Sequence, residues 1–185
     1  LTAVRTIDPD VTGATVSVHE SGKVMLEAFW QVILATLCVV SLVLLVEYRG
    51  PLAFMALVPL GVGTLWLLEV MGATGLTFNM ANFFAIPVLI GIGVDDGVHM
   101  INRHLEDPHG PLASSETGLS VILTSLTTMI AFGALATASH RGMASFGLLM
   151  AVGAFVLMLS AVVLLPALLR LFFRSGVPGS PEGKG

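Results

Sequence analysis

The chain has 185 residues, of which 55% are hydrophobic and only 11% are charged, and its formal net charge is −4. A soluble domain normally carries about a quarter charged residues, so this chain has too few polar side chains to cover a water-facing surface. The charges form no basic block, which argues against a nucleic-acid-binding protein. The composition predicts a membrane protein.

The two ends of the chain differ in composition from its middle. The N-terminal stretch LTAVRTIDPDVTGATVSVHE has neither the basic start nor the apolar core of a signal peptide. Its Thr/Val alternation, with Pro9 and Gly13, predicts a short strand and a turn. We interpret residues 1–26 as the end of an extramembrane domain, so the chain is expected to be a fragment. Residues 175–185 are rich in Gly, Pro and Ser and are predicted to form a disordered tail.

Long uncharged runs in the middle of the chain predict five transmembrane helices. Each run reaches the roughly 18 residues that a helix needs to cross a bilayer core of about 30 Å. The predicted helices lie near residues 27–48, 51–72, 79–104, 114–138 and 142–173. The predicted fold class is therefore an all-α membrane protein, with residues 27–174 as its transmembrane domain.

The distribution of basic residues predicts the orientation of these helices. Five spans place the two ends of the chain on opposite faces of the membrane. The face of the C-terminus carries more basic residues, namely Arg49, Arg103, Arg170, Arg174 and Lys184 against Arg5, Lys23 and Arg141. The positive-inside rule places that face in the cytoplasm, which makes the C-terminal tail cytoplasmic.

Two adjacent acids and a histidine lie in the third apolar run, IPVLIGIGVDDGVHMINRH. Asp95 precedes His99 by four residues and Asp96 precedes it by three, so all three side chains are expected to share one helix face. Asn79 and Asn82 are predicted to start and cap this helix, which places Asp95 roughly 24 Å along it, in the inner half of the bilayer. An interfacial position is the alternative. Apolar residues continue past the acids, however, and intramembrane carboxylates usually mark ion or proton paths.

A proline and three glycines flank the acids. Pro87 is predicted to kink the helix by removing one backbone hydrogen bond. Gly91, Gly93 and Gly97 are expected to leave the acidic face bare, and the last two have the GxxxG spacing that permits close helix packing. The glycines do not fit the G-x-G-x-x-G pattern of a nucleotide-binding loop, so no nucleotide cofactor is predicted.

The fourth run, SVILTSLTTMIAFGAL, carries five hydroxyl side chains within nine residues. Any one of them can simply bond to a carbonyl of its own helix. As a cluster they predict a polar surface that packs beside the third helix at the level of the acids and hydrogen-bonds a carboxylate or water. The predicted packing stripe consists of Ser120, Thr124 and Thr127 or Thr128, with Ser125 one step round the helix.

Three motifs together resemble the resistance-nodulation-division (RND) superfamily. They are NMANFFAIPVLIGIGVDDGVHMINRH, TSLTTMIAFGAL and GLLMAVGAFVLMLSAVVLLPALL, and the resemblance covers nearly the whole chain. The matching branch is that of the MMPL-type lipid exporters, which include the hopanoid transporters, with Patched-like proteins more distant. Each half of such a protein has six transmembrane helices, with a periplasmic domain after the first. The resemblance implies that residues 27–174 are helices eight to twelve and that residues 1–26 end the second periplasmic domain.

The resemblance also implies an activity, which is export of lipids or other hydrophobic substrates driven by protons across the bacterial inner membrane. The implied partners are protons, membrane lipids and the missing N-terminal half, and a homo-oligomer is left open. Asp95 matches the relay carboxylate of helix ten. Asp96 stands where mycobacterial lipid exporters usually carry Tyr, and His99 is either a further relay group or an ordinary interfacial histidine. The implied helix-eleven hydroxyls near the relay are Thr124, Ser125 and Thr128.

Elementary electrostatics favours a relay independently of the resemblance. A medium of low dielectric constant pushes a carboxyl group toward its neutral form, and two neighbouring carboxylates do not readily both ionise. Loading and releasing a proton changes the local charge, which can bias two alternative helix packings. No covalent chemistry is required, so neither catalytic residues nor an enzymatic activity is predicted.

Other functions compete with export as explanations of the acids. An intramembrane aspartyl protease also uses carboxylates, but its G-x-G-D motif differs from GIGVDD by an inserted residue, and no other predicted span contains Asp. A metal ion at Asp95, Asp96 and His99 would be short of ligands, so no metal is predicted. A sterol-sensing-like or structural membrane domain, which binds lipid without pumping, is the alternative to an exporter.

Overall fold

The computed structural model describes residues 14–48, 50–108 and 110–174, and this part of the chain contains five helices that are long and apolar enough to cross a membrane. The helices are α1 (Ala14–Glu47), α2 (Pro51–Thr74), α3 (Ala85–Glu106), α4 (Glu116–Ala136) and α5 (Arg141–Leu159). A π-helical turn at Ser160–Leu164 and a helix α6 at Leu165–Arg174 extend α5. The predicted all-α membrane fold is confirmed.

The ends of the helices follow from local sequence. Backbone groups find no water in a bilayer, so an apolar run satisfies its hydrogen bonds within a helix. Pro51 lies in the first turn of α2, and Gly75, with a φ of 72°, ends that helix in the left-handed conformation. Ser115 caps α4, because its Oγ accepts a hydrogen bond of 3.1 Å from the N–H of Gly118.

Helices α2, α3 and α5 pack against one another at the centre of the bundle, α1 lies against α2 and α3, and α4 packs mainly against α5. We call the end with the α1–α2 and α3–α4 connections the inner end. An apolar cluster at this end includes Leu44, Met55, Met100, Leu112 and Leu165. A second cluster toward the outer end includes Leu67, Ile86, Leu89, Leu149 and Met150. The acids of α3 lie between the two clusters.

Helix α3 begins at Ala85 rather than at Asn79, so the predicted capping role of Asn79 and Asn82 is wrong. Asn82 is instead only 1% exposed. Its side-chain amide donates hydrogen bonds to the carbonyl oxygen of Thr77 at 2.9 Å and to Ser145 Oγ at 2.8 Å. These bonds hold the chain in turns before α3 and attach them to α5.

The later start of α3 changes two expectations. Pro87 lies in the first turn, where a backbone N–H has no helical partner in any case, so Pro87 interrupts no hydrogen bond and the predicted kink has no basis. Asp95 and Asp96 lie about 15 Å from the start of this helix of 22 residues. They therefore lie at the midpoint of the helix, and their depth in the bilayer stays a prediction.

Helix α1 begins before the predicted membrane segment. Residues 14–18, which belong to the predicted strand, are helical, so that prediction is wrong there. Residues 9–13, with the predicted turn, and the predicted tail at 175–185 lie outside the described residues. The division into an extramembrane segment at 1–26 and a transmembrane domain at 27–174 stays a prediction.

We expect Asn82→Ala to lower the thermal stability of the purified protein. The substitution removes three hydrogen bonds from a buried site, the two that the amide donates and one that its Oδ1 accepts from the N–H of Asn79 at 2.8 Å. Leaving such groups unpaired typically costs about 1–3 kcal/mol. The melting temperature in detergent measures the loss. Asn79→Ala is the matched control, because its amide also donates to Ser145 Oγ but its side chain is exposed, so its effect should be smaller. An unchanged melting temperature for Asn82→Ala would show that the buried amide does not hold the turn.

Candidate functional site

The two adjacent acids of α3 face different surroundings. Neighbouring residues of an α-helix are about 100° apart around its axis. Asp96 is buried, with 4% exposure, whereas the side chain of Asp95 is 72% exposed. His99 is exposed as well, and its Nε2 lies 3.6 Å from Asp95 Oδ1. The prediction that all three side chains share one face is therefore wrong, because Asp95 and His99 form one pair and Asp96 turns inward.

The inward carboxylate of Asp96 meets helix α4. Ser125, which is 2% exposed, donates a hydrogen bond from its Oγ to Asp96 Oδ2 at 3.4 Å. This hydrogen bond joins the two polar groups singled out in the sequence, the acids of the third helix and the hydroxyls of the fourth. A buried carboxylate with a hydroxyl donor is positioned to hold or release a proton inside the bundle.

The other hydroxyls of α4 bond within their own helix. Thr124 Oγ1 donates to the carbonyl oxygens of Ser120 at 3.0 Å and Val121 at 3.1 Å. Thr128 Oγ1 donates to the carbonyl oxygen of Thr124 at 2.9 Å. The further members of the predicted stripe, Ser120 and Thr127, are exposed. The prediction that this stripe packs beside α3 is wrong, because the rotation of α4 turns Ser125 toward the acids instead.

The glycines beside the acids lie on two sides of α3. Gly93 and Gly97 are buried. A Cβ atom on Gly97 would lie 3.2 Å from the carbonyl oxygen of Ala56, so the backbones of α2 and α3 approach closely there. Gly91 is exposed, and a Cβ atom added to it would meet no atom within 4 Å. It lies one turn before Asp95 on the exposed side. Of the three glycines predicted to leave the surface around Asp95 bare, Gly91 alone lies there.

A polar contact at the inner end was not found from the sequence. The hydroxyl of Tyr48 donates a hydrogen bond to Asn102 Oδ1 at 2.5 Å, and its oxygen also lies 3.4 Å from the carbonyl oxygen of Val98. Tyr48 follows α1 directly, and both acceptors lie on α3. The one available signal was that Tyr48 is the sole tyrosine of the chain and stands in a short connection.

Comparison with known proteins assigns the chain to a family. The family model described as the MMPL family matches residues 2–184. The chain belongs to the MMPL family. This match confirms the predicted resemblance to RND-type, MMPL-like proteins, which was based on GIGVDD, TSLTT and the last apolar run.

Two curated MMPL-like relatives are both named hopanoid transporter HpnN. The protein of Burkholderia multivorans is 31% identical over 170 residues, which are 91% of this chain and 19% of the relative. That of Rhodopseudomonas palustris is 32% identical over 169 residues, which are 90% of this chain and 19% of the relative. The chain thus spans about a fifth of the length of these relatives.

Proposed function

We propose that this chain is part of an exporter of lipids or other hydrophobic substrates that is driven by the proton-motive force, and that it supplies the proton-relay carboxylates of the tenth helix. The lipid substrate is supported by the similarity to hopanoid transporters. The relay is supported by one observation above all. Two carboxyl groups lie at the midpoint of a membrane-spanning helix, one buried against α4 and one exposed, about 100° further round the helix.

The position of the acids needs a reason, because it opposes insertion. An Asp at the centre of a membrane helix costs roughly 2.5–3.5 kcal/mol on insertion scales. Apolar side chains at Asp95 and Asp96 would pack and insert more readily. Ionisable groups at this depth commonly serve ion or proton movement, and the carboxylate of Asp95 is exposed, with His99 Nε2 3.6 Å away.

The two acids have different tasks in this proposal. Asp95, with His99 close by, exchanges protons on the exposed side of α3. Asp96 keeps its hydrogen bond to Ser125 and couples the charge of the pair to the packing of α3 on α4. Since the acids are adjacent, a proton that binds Asp95 also changes the field at Asp96. The change in charge can then favour one of two packings of α3 and α4.

The partners are proposed together with the activity. They are protons, the transported lipid, the surrounding membrane lipids and an N-terminal half that would contribute further helices, with the bacterial inner membrane as the location. An exposed Asp95 and His99 pair with a bare Gly91 beside it fits a surface that a further helix could approach closely. Thr124 and Thr128 remain proposed as supporting hydroxyls on the neighbouring part of α4.

The proposal is tested with the full-length protein in lipid vesicles. Transfer of a labelled hopanoid or other bacterial lipid to acceptor vesicles is measured with an imposed pH gradient, without one, and after addition of a protonophore. We expect transfer to depend on the gradient and to stop with the protonophore. Lipid binding with equal transfer in all three conditions would favour the lipid-binding alternative over a proton-driven exporter.

A further inference from the structure

A hydrogen bond from a buried tyrosine joins the inner end of α1 to α3. We call this bond the tie. Tyr48 is 4% exposed and lies in the apolar cluster of the inner end. Burial raises the pKa of its hydroxyl, and the adjacent Glu47 carboxylate adds to the effect. The hydroxyl therefore keeps its proton and acts as the donor in its short bond to Asn102.

This tie differs in kind from the other contacts of α1. The outer end of α1 meets the segment before α3 through the rings of Phe29 and Phe83, whose centroids are 4.0 Å apart. Between the two ends, α1 packs through the apolar residues Ile33, Leu37, Val40 and Leu44. In a bilayer such contacts compete with similar contacts to lipid, so they hold a helix without fixing its position. A directional hydrogen bond does fix it.

The acceptor of this bond lies on the same side of α3 as the exposed acid. Asn102 follows Asp95 by two helical turns and His99 by one. All three side chains are exposed. A rotation or shift of α3 that follows a change of charge at Asp95 would therefore carry Asn102 with it.

We infer that Tyr48 is a positioning residue that couples α1 to the proposed relay, because its hydroxyl holds Asn102 and makes the inner end of α1 follow α3. The inference rests on the proposed function only in taking Asp95 as the group whose charge changes. Among the five spans of the described residues, α1 has the smallest buried share, 6%, so the coupling moves a large exposed apolar surface.

Two variants remove the tie with little harm to packing. Tyr48→Phe keeps the ring in the apolar cluster and removes only the donor, while the exposed Asn102 amide can bond to water instead. Asn102→Ala removes the near acceptor from an exposed position, leaves no cavity, and leaves only the Val98 carbonyl oxygen at 3.4 Å, which makes a much weaker contact. Thr64→Val is the matched control, because it also removes a hydroxyl, but one that bonds to the Leu60 carbonyl of its own helix at 2.7 Å.

The test measures whether α1 follows α3 in the full-length protein. Spin labels replace Leu45 on α1 and Leu119 on α4, both exposed, with Cys38 changed to Ser and the other native cysteines removed. If α1 follows α3 when α3 moves relative to α4, the distance between these labels changes. The distance distribution between the labels is recorded in vesicles of phosphatidylethanolamine and phosphatidylglycerol, with Asp95 and with Asp95→Asn. Asp95→Asn should shift the distribution when Tyr48 or the Thr64→Val control is present. The shift should be at least halved with Tyr48→Phe or Asn102→Ala.

A shift that is equal in all variants would overturn the inference, and so would the absence of a shift with Tyr48 present.

Export in the same protein gives a second readout. Tyr48→Phe and Asn102→Ala should each lower the maximal export rate by roughly threefold to thirtyfold, and the double variant should be no slower than the slower single one. Additive losses would also contradict a shared bond. If gradient-independent export disproves the proposed function, the label distances still decide whether Tyr48 couples the helices.

Discussion

Asp95→Asn in the full-length protein should abolish proton-driven export while leaving the protein folded and inserted. The amide keeps the size and hydrogen-bonding capacity of the carboxyl group but cannot take up or release a proton at physiological pH. Asp95 is exposed, so no buried partner loses a bond, and removal of an intramembrane charge should ease insertion. Export rate and membrane protein level are measured on the same cells.

Two neighbouring substitutions serve as controls for this result. Asp96→Asn should be less severe if the pair shares one proton and Asp95 is the principal carrier, because the amide can still accept the hydrogen bond from Ser125. His99→Gln should leave partial export, since it removes only the imidazole near Asp95. If Asp95→Asn exported lipid at the parental rate in cells with a normal proton gradient, the relay assignment would be wrong. A lipid-binding domain would then better explain the acids.

The spans could be predicted from the sequence because a single property determines them. Uncharged apolar runs long enough to cross a bilayer have one stable backbone conformation there, and the five predicted spans are confirmed in number and order. The start of α3 was missed because the residues that delay it are not local. Asn82 bonds to Ser145, which is remote in sequence and belongs to α5.

The residues of the candidate site could be predicted from the sequence, but their arrangement in space could not. Asp95, Asp96 and Ser125 were all singled out, since acids and hydroxyls are conspicuous in apolar helices. Which acid turns inward, and which hydroxyl meets it, depends on how α3 and α4 are rotated against their neighbours. That rotation is a property of the packed bundle. The bond between Tyr48 and Asn102 likewise joins two helices that no local pattern connects.

Gly147→Ala should destabilise the protein, because the added methyl group would meet the backbone of the neighbouring helix α4. A Cβ atom at this position would lie 2.5 Å from the carbonyl oxygen of Phe132, 2.6 Å from the amide nitrogen of Ala136 and 2.8 Å from the carbonyl carbon of Leu135. All three are backbone atoms of α4, which no side-chain rotation can move aside. Overpacking of this kind costs typically about 1–3 kcal/mol. The melting temperature in detergent should fall accordingly.

Gly133→Ala is the matched control, because Gly133 lies in α4 and a Cβ atom there has no neighbour within 4 Å. Alanine is a better helix former than glycine by about 1 kcal/mol, so this variant should be as stable as the parent or more so. Equal melting temperatures for the two variants would show that α4 and α5 have room to separate.

The contact between α4 and α5 also affects the site, because Ser125, which bonds to Asp96, lies on α4. A methyl group that pushes α4 away from α5 shifts that hydroxyl, so Gly147→Ala should also slow export in the protein that remains folded, whereas Gly133→Ala should not.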